Sequence, residues 1–218
     1  MKTIYLVRHG EAEINPTAEK KPVHVKGALA DLTPRGFIQA DKIAERITRL
    51  PVQTIIASTM TRAQQTASVI SKRINLPIES SDLFTERVEP SSLIGLVWDD
   101  PETQRQFRSW EDTFSTKGGR VGDGENFEDI NLRATKALSF LSHNSAEHIV
   151  VVTHGYFMRV ILGRILFGDR NVPDLVESLH FGLRTVNTGL TILHYNEADE
   201  HSEWWVSVWN DHAHLADA

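Results

Sequence analysis

The stretch Thr3-Ile4-Tyr5-Leu6-Val7-Arg8-His9-Gly10-Glu11 decides how the chain reads. Its first five residues favour β structure and run directly into Arg-His-Gly, the pattern of a buried strand that empties into a tight turn. Gly10 lets the chain turn and lets backbone N–H groups approach whatever His9 faces. In open α/β sheets, ligands lie beyond the carboxyl ends of the strands. An arginine and a histidine placed there are candidates for chemistry on an anion. Three-residue matches are common by chance, and the alternative for this one alone is a solvated Arg beside a structural His. Other strand ends in the chain decide between the two.

Two more strands end the same way. Thr54-Ile55-Ile56-Ala57-Ser58 passes through Thr59-Met60-Thr61 to Arg62 in the first turn of a helix. A cation is disfavoured there by the helix dipole, which points to an anion nearby or to a solvated guanidinium. Ile149-Val150-Val151-Val152-Thr153 is a continuous β-branched run of the kind found in central parallel strands. It ends in His154-Gly155 and a helix to about Phe167. Each strand is followed by a helix, so the expected architecture is a three-layer α/β/α sandwich with a mostly parallel central sheet. All three turns then open at one edge.

Helical spacing supports this. Thr33-Pro34 is a helix start, with Phe37, Ala40, Ile43, Ala44, Ile47 and Leu50 as its apolar stripe. Ala63, Ala67, Ile70 and Ile74 mark a second helix. Phe107, Trp110 and Phe114 mark another between Pro101 and Phe114. Phe127, Ile130, Ala134, Ala137, Leu138 and Leu141 mark a fourth, opening at Glu125-Asn126. Leu76-Pro77-Ile78-Glu79 reads as a short edge strand. Asn187 to Tyr195 and Trp204 to Trp209 read as two antiparallel strands that close the sheet. The expectation is a single domain over 1–218, with a helical insertion around 87–124. The loop at 16–31, which carries Lys20, Lys21, His24 and Lys26, is either a lid or a plain surface loop.

The 218 residues are 40% hydrophobic and carry a formal charge of −6, with no cysteine. That amount of apolar sequence suffices for one well-buried core. The acidic balance argues against nucleic acid or an anionic membrane as a partner. Without cysteine there is no disulfide and no thiolate chemistry. The chain enters a strand at once, with no signal peptide and no membrane-spanning run, so a cytoplasmic enzyme or binding protein is expected.

Arg8-His9-Gly10-Glu11, Leu32-Thr33-Pro34-Arg35-Gly36, Ser58 to Ala67, Leu83 to Glu86, Gly124-Glu125 and Thr153-His154-Gly155 follow one another in an order and spacing that resemble the histidine phosphatase superfamily, the phosphoglycerate mutase-like proteins. Asn15, Asn187 and the closing Asn210 to Leu215 fit the same resemblance, which covers nearly the whole chain. It implies hydrolysis of phosphate monoesters through a phosphohistidine on His9, with Arg8, Arg62, His154 and Glu86 as the other catalytic residues. Arg8, Asn15, Arg62, His154 and Gly155 would bind the substrate, a small phosphorylated molecule. Neither a metal nor a cofactor is implied. Phosphoglycerate mutase-type transfer on the same site is the alternative, and a catalytically idle phospho-ligand binder is a third reading. The segment between Asn15 and Leu32 is longer than in many relatives and lacks their Gln-Gly. The Lys-Arg-Arg-rich set of true mutases is not evident after Glu86.

The physical chemistry of these residue types agrees with the resemblance. Guanidinium forks suit phosphoryl oxygens. Nearby positive charge would keep the attacking nitrogen of His9 unprotonated, and a backbone carbonyl on its other nitrogen would fix the tautomer. Attack by His9 divides the reaction into two easier steps. Glu86 would protonate the leaving oxygen, a role that asks for partial burial or neighbouring negative charge, with Asp82 and Glu89 as alternatives.

Overall fold

A computed structural model describes residues 1–15, 24–199 and 203–216. Strand β1, Lys2–Arg8, lies inside a six-stranded sheet, flanked by β4, His148–Thr153, in parallel and by β5, Leu190–Tyr195, antiparallel. Strand β2, Thr54–Ala57, pairs in parallel with β4 and with the edge strand β3, Ile78–Ser80. Strand β6, Trp204–Asp211, closes the other edge against β5. The order is β3-β2-β4-β1-β5-β6. The sheet is thus parallel from β3 to β1 and antiparallel beyond.

Alternation along the strands feeds two cores. Ile4, Leu6, Ile56, Ile149 and Val151 face α4, Phe127–His143, and α5, Gly155–Phe167. Tyr5, Val7, Ile55, Ala57, Val150 and Val152 face α1, Pro34–Ile47, and α2, Thr61–Ile74. Helices on both faces make three layers. Ile149 to Val152 are fully buried, because β4 is covered on both faces.

Local chemistry sets the helix ends. Thr33 caps α1 by accepting from the Gly36 N–H, with Pro34 at the first helical position. Asn126 and Asp129 form a reciprocal capping box at the start of α4. The α1 stripe differs from expectation at Phe37, which is 44% exposed, while Gly36 and Gln39 take the inner side. The cause is the turn after β1. The Gln39 side chain accepts the Glu11 N–H at 2.8 Å, so the first turn of α1 faces the backbone of that turn rather than the apolar core. Helix α6, Pro173–Gly182, has no counterpart in the sequence reading. Its single buried residue, Val176, is too little for a periodic signal.

The segment from 87 to 124 contains a 3-10 turn at Ser91–Leu93 and α3, Pro101–Asp112. Of the 16–31 stretch, positions 24–31 are described, while Lys20 and Lys21 lie outside the described residues. The described part is tied down by backbone bonds from Val25 N–H to the Leu96 carbonyl and from Gly95 N–H to the Val25 carbonyl.

Candidate active site

The carboxyl ends of β1, β2 and β4 lie side by side, with Arg8 paired to Thr153 and Ala57 paired to Val152. That register brings together His9, just past β1, and His154, just past β4. Their rings are 5.0 Å apart, centroid to centroid. Arg62, in the first turn of α2, reaches into the same place. His9, Arg62 and His154 are all buried, each at most 2% exposed.

The hydrogen bonds of His9 define its tautomer. Its Nδ1 lies 2.7 Å from the Gly10 carbonyl, which can only accept, so Nδ1 carries the proton. Arg62 Nε–H donates to Nε2 at 3.2 Å, so Nε2 presents a lone pair. Burial first, then the charges of Arg62 and Arg8, hold the His9 pKa well below the ordinary imidazole range, against a smaller upward pull from the Gly10 carbonyl. The charge effect expected from sequence is present, but desolvation outweighs it.

Gly10 acts differently from its reading as a turn residue. Its φ is not positive, and its N–H donates to Thr66 Oγ1 at 3.0 Å rather than toward a ligand. What requires glycine is close approach: a Cβ here would lie 2.5 Å from the Gly36 carbonyl oxygen.

Three arginines surround the histidines. Arg62 is fully engaged, its remaining nitrogens donating to the Gly27 carbonyl at 2.9 Å and Met60 Sδ at 3.2 Å. Arg8 donates to the Thr185 carbonyl at 2.6 Å, while its buried Nε has no partner. Burial brings its pKa down to about 10, opposed by the Glu86 carboxylate. Arg159, on α5, donates to the carbonyls of Gly155 and Leu183 and adds positive charge near Arg8. At Gly155 a Cβ would lie 2.7 Å from Thr185 Oγ1 and 3.3 Å from Arg8 Nε, so a side chain there would displace Thr185 and crowd Arg8.

His154 is the N-cap residue of α5. Its Nε2 lies 2.7 Å from Ser58 Oγ, and its Nδ1 is buried without a partner. The unpartnered Nδ1 is a second buried nitrogen beside the His9 ring. Ser58 was read from sequence only as the end of a strand. A serine at that position has no distinct sequence signal, because its role depends on β2 lying beside β4.

Glu86 follows a 3-10 turn, Asp82–Phe84, and its carboxylate sits on the first turn of α5. Oε2 accepts from Tyr156 N–H at 3.1 Å and Oε1 from Phe157 N–H at 2.9 Å. The N-terminus of α5 therefore holds a carboxylate of the protein itself. Arg133 of α4 fixes this segment from behind. It donates to the carbonyls of Leu83, Thr85 and Glu86 and forms a two-point ion pair with Glu125 at 2.8 and 2.7 Å. Sequence reading had no role for Arg133. A lone arginine on a helix carries no mark of what it faces.

Arg8, His9, Asn15, Arg62 and Glu86 line a cavity of about 330 Å³, together with Gly27, Arg87, Glu89 and Ser91. Asn15 Oδ1 accepts from the Ala12 N–H and from Asn187, which also donates to the His9 carbonyl at 3.0 Å. Gly27 and Ala28 bring the described part of the 16–31 stretch to the cavity wall. Among the described residues, no group of three or more His, Cys, Asp or Glu is gathered as metal ligands. No helix among them is long and apolar enough to cross a membrane.

Comparison with known proteins agrees with this arrangement. Residues 4–212 match the model of the histidine phosphatase superfamily (branch 1), and the chain belongs to that family. A metal-independent phosphoserine phosphatase of Arabidopsis thaliana is 30% identical over 224 residues, spanning 98% of this chain and 83% of the relative. A probable phosphoglycerate mutase GpmB of Enterobacter sp. is also 30% identical, over 96% of this chain and 90% of its own length. In fold, the chain is similar to a putative α-ribazole-5′-P phosphatase of Escherichia coli, with a TM-score of 0.76 at 20% identity over 97% of this chain and 98% of that one. It is similar as well to a phosphoserine phosphatase variant of Entamoeba histolytica solved with phosphoserine, with a TM-score of 0.74 at 21% identity over 99% and 100% of the two chains.

Proposed function

We propose that this protein hydrolyses small phosphate monoesters through a phosphohistidine on His9, without a metal. The observation that carries the reading is the state of His9. Its Nε2 is a lone pair, held by Arg62 at 3.2 Å and flanked by two buried nitrogens without partners, Arg8 Nε and His154 Nδ1. A phosphoryl group offers three oxygens to these nitrogens. On its arrival the Arg62 N–H passes from Nε2 to an oxygen, which frees the nucleophile and binds the substrate in one movement.

His9 Nε2 then attacks phosphorus, and the ester P–O bond breaks. Glu86 enters this step protonated and gives its proton to the leaving oxygen, and the resulting carboxylate takes the proton of the water that next attacks the phosphohistidine, which restores the acid. The P–N bond breaks, inorganic phosphate leaves, and His9 is neutral again. Arg8, Arg62 and His154 offset the charge on the phosphoryl oxygens throughout, as preorganised donors. Asn15 and Gly155 border the binding site, one on the cavity wall and the other making room for Arg8.

Hydrolysis is favoured over mutase transfer because, among the described residues, no lysine lines the cavity and Arg87 is the one arginine there besides Arg8 and Arg62. The relatives include both activities, a metal-independent phosphoserine phosphatase and a probable phosphoglycerate mutase at equal identity. Turnover of p-nitrophenyl phosphate tests the reading. Activity that is unchanged by chelator and blocked by orthovanadate is expected. Activity lost in chelator and restored by a divalent ion would contradict it, and 3-phosphoglycerate converted to 2-phosphoglycerate faster than to free phosphate would favour the mutase.

A further inference from the structure

Of the acidic residues on the cavity wall, Glu89 stands apart. Glu86 has its oxygens on the amides of α5, and Asp123 accepts the Ser91 N–H at 2.8 Å. Glu89 Oε2 is buried and has no hydrogen-bond partner among the described residues. It sits against the turn at Gly27, where a Cβ would lie 3.4 Å from it, and the Gly27 carbonyl is the group that Arg62 holds at 2.9 Å. A buried carboxylate oxygen without a donor is costly to maintain unless something arrives to satisfy it.

We propose that Glu89 is a specificity residue, and that it accepts a hydrogen bond from a hydroxyl or ammonium group on the substrate's carbon skeleton, near the phosphate ester. This rests on the phosphatase reading above. Phosphorus must reach His9 Nε2 beside Arg62, and Glu89 lies across the same cavity, within electrostatic reach of Arg62. The organic part of a bound ester would occupy the cavity whose wall Glu89 shares with His9 and Arg62. When the phosphoryl group engages Arg62, the cation that offsets Glu89 is shared with a second anion. A donor on the substrate makes up the loss, and an alkyl chain does not. Burial and the neighbouring Glu86 raise the Glu89 pKa, opposed by Arg62. An ammonium would therefore gain most by keeping Glu89 ionised, while a hydroxyl would gain through the hydrogen bond itself.

Three esters of equal length test this: 2-aminoethyl, 2-hydroxyethyl and propyl phosphate, compared by kcat/KM. In the wild type at least one donor-bearing ester should exceed propyl phosphate by about tenfold or more, the usual worth of a hydrogen bond to a charged group. Glu89→Leu should bring that ratio to within about threefold of unity. Glu89→Gln should lower the aminoethyl ratio and preserve the hydroxyethyl ratio, which identifies the donor. Wild-type ratios that are flat in both arms, or a ratio that survives Glu89→Leu, would overturn the proposal. Flat wild-type ratios overturn it without any variant, and if the leucine variant does not fold, an aminoethyl ratio unchanged in Glu89→Gln together with an unchanged hydroxyethyl ratio in Glu89→Ala overturns it as well. Flat ratios alongside hydrolysis of p-nitrophenyl phosphate would remove this proposal and leave the phosphatase reading standing. No turnover of any phosphate would remove both.

Discussion

The floor of the site and its rim are built by different means. The floor consists of His9, Arg62 and His154, all buried and set by neighbouring strand ends. The rim consists of Glu86, Arg87, Glu89, Ser91 and the turn at Gly27, carried by irregular chain. On the floor, position follows from sheet register, and one parallel pairing brings two histidines together. On the rim, position depends on side chains from distant elements. Arg133 holds three carbonyls of the Leu83 to Glu86 segment, and Arg87 lies 4.0 Å above the Trp110 ring. Under the proposed function, phosphoryl chemistry falls to the floor and choice of leaving group to the rim.

If that division holds, damage to the floor should affect all substrates and damage to the rim should not. The largest effect is expected for His9→Ala, which should lower kcat by at least about 10³-fold on every phosphate ester, as loss of a nucleophile does. Near-normal turnover would break the comparison at its root.

Glu86→Gln comes next and sharpens it. General acid help supplies about 10²–10⁴-fold, so a loss of that order is expected with an alkyl phosphate. A much smaller loss is expected with p-nitrophenyl phosphate, whose leaving group needs no proton, provided phosphorylation of His9 limits the rate. Glu86 also holds the first turn of α5. If that were its only role, both substrates would suffer equally.

Ser58→Ala should cost less, about tenfold, by removing the hydroxyl that orients His154. The loss should be similar across substrates, because His154 belongs to the floor. A substrate-dependent loss would move Ser58 to the rim.

The smallest effect is on stability. His9 and His154 are buried with their pKa values held well below the ordinary range, chiefly by desolvation. Below about pH 6.5 the unfolded chain binds protons at these two positions and the folded chain does not. Stability from this source is therefore complete above that pH and is lost as pH falls, by about 1.4 kcal/mol per pH unit for each histidine. Urea midpoints measured from pH 7 to pH 5 should fall, and His154→Gln should reduce the slope. A slope unchanged by that substitution would mean His154 is already protonated in the fold.

The same contrast explains what the sequence made legible. The strands ending at Arg8 and Thr153, the capped start of α1 and the α4 stripe all rest on local patterns, and all are present. So are the meeting of His9, Arg62 and His154 and the edge position of β3. The parts that went unread depend on contacts far apart in sequence. Gly10 is required by Gly36, His154 is oriented by Ser58, and the segment of Glu86 is held by Arg133. Phe37 was assigned to the core by period alone, whereas Gln39 faces inward to meet a backbone N–H.

The central claim is that His9 Nε2 becomes covalently phosphorylated. Turnover of a ³²P-labelled monoester, quenched in alkali within the first cycle, should leave label on the chain. Peptide mapping should place it within the Arg8-His9-Gly10 segment, and brief acid should release it. An alkali-stable label on another residue, or none while phosphate is being released and phosphohistidine hydrolysis is slow, would contradict the account.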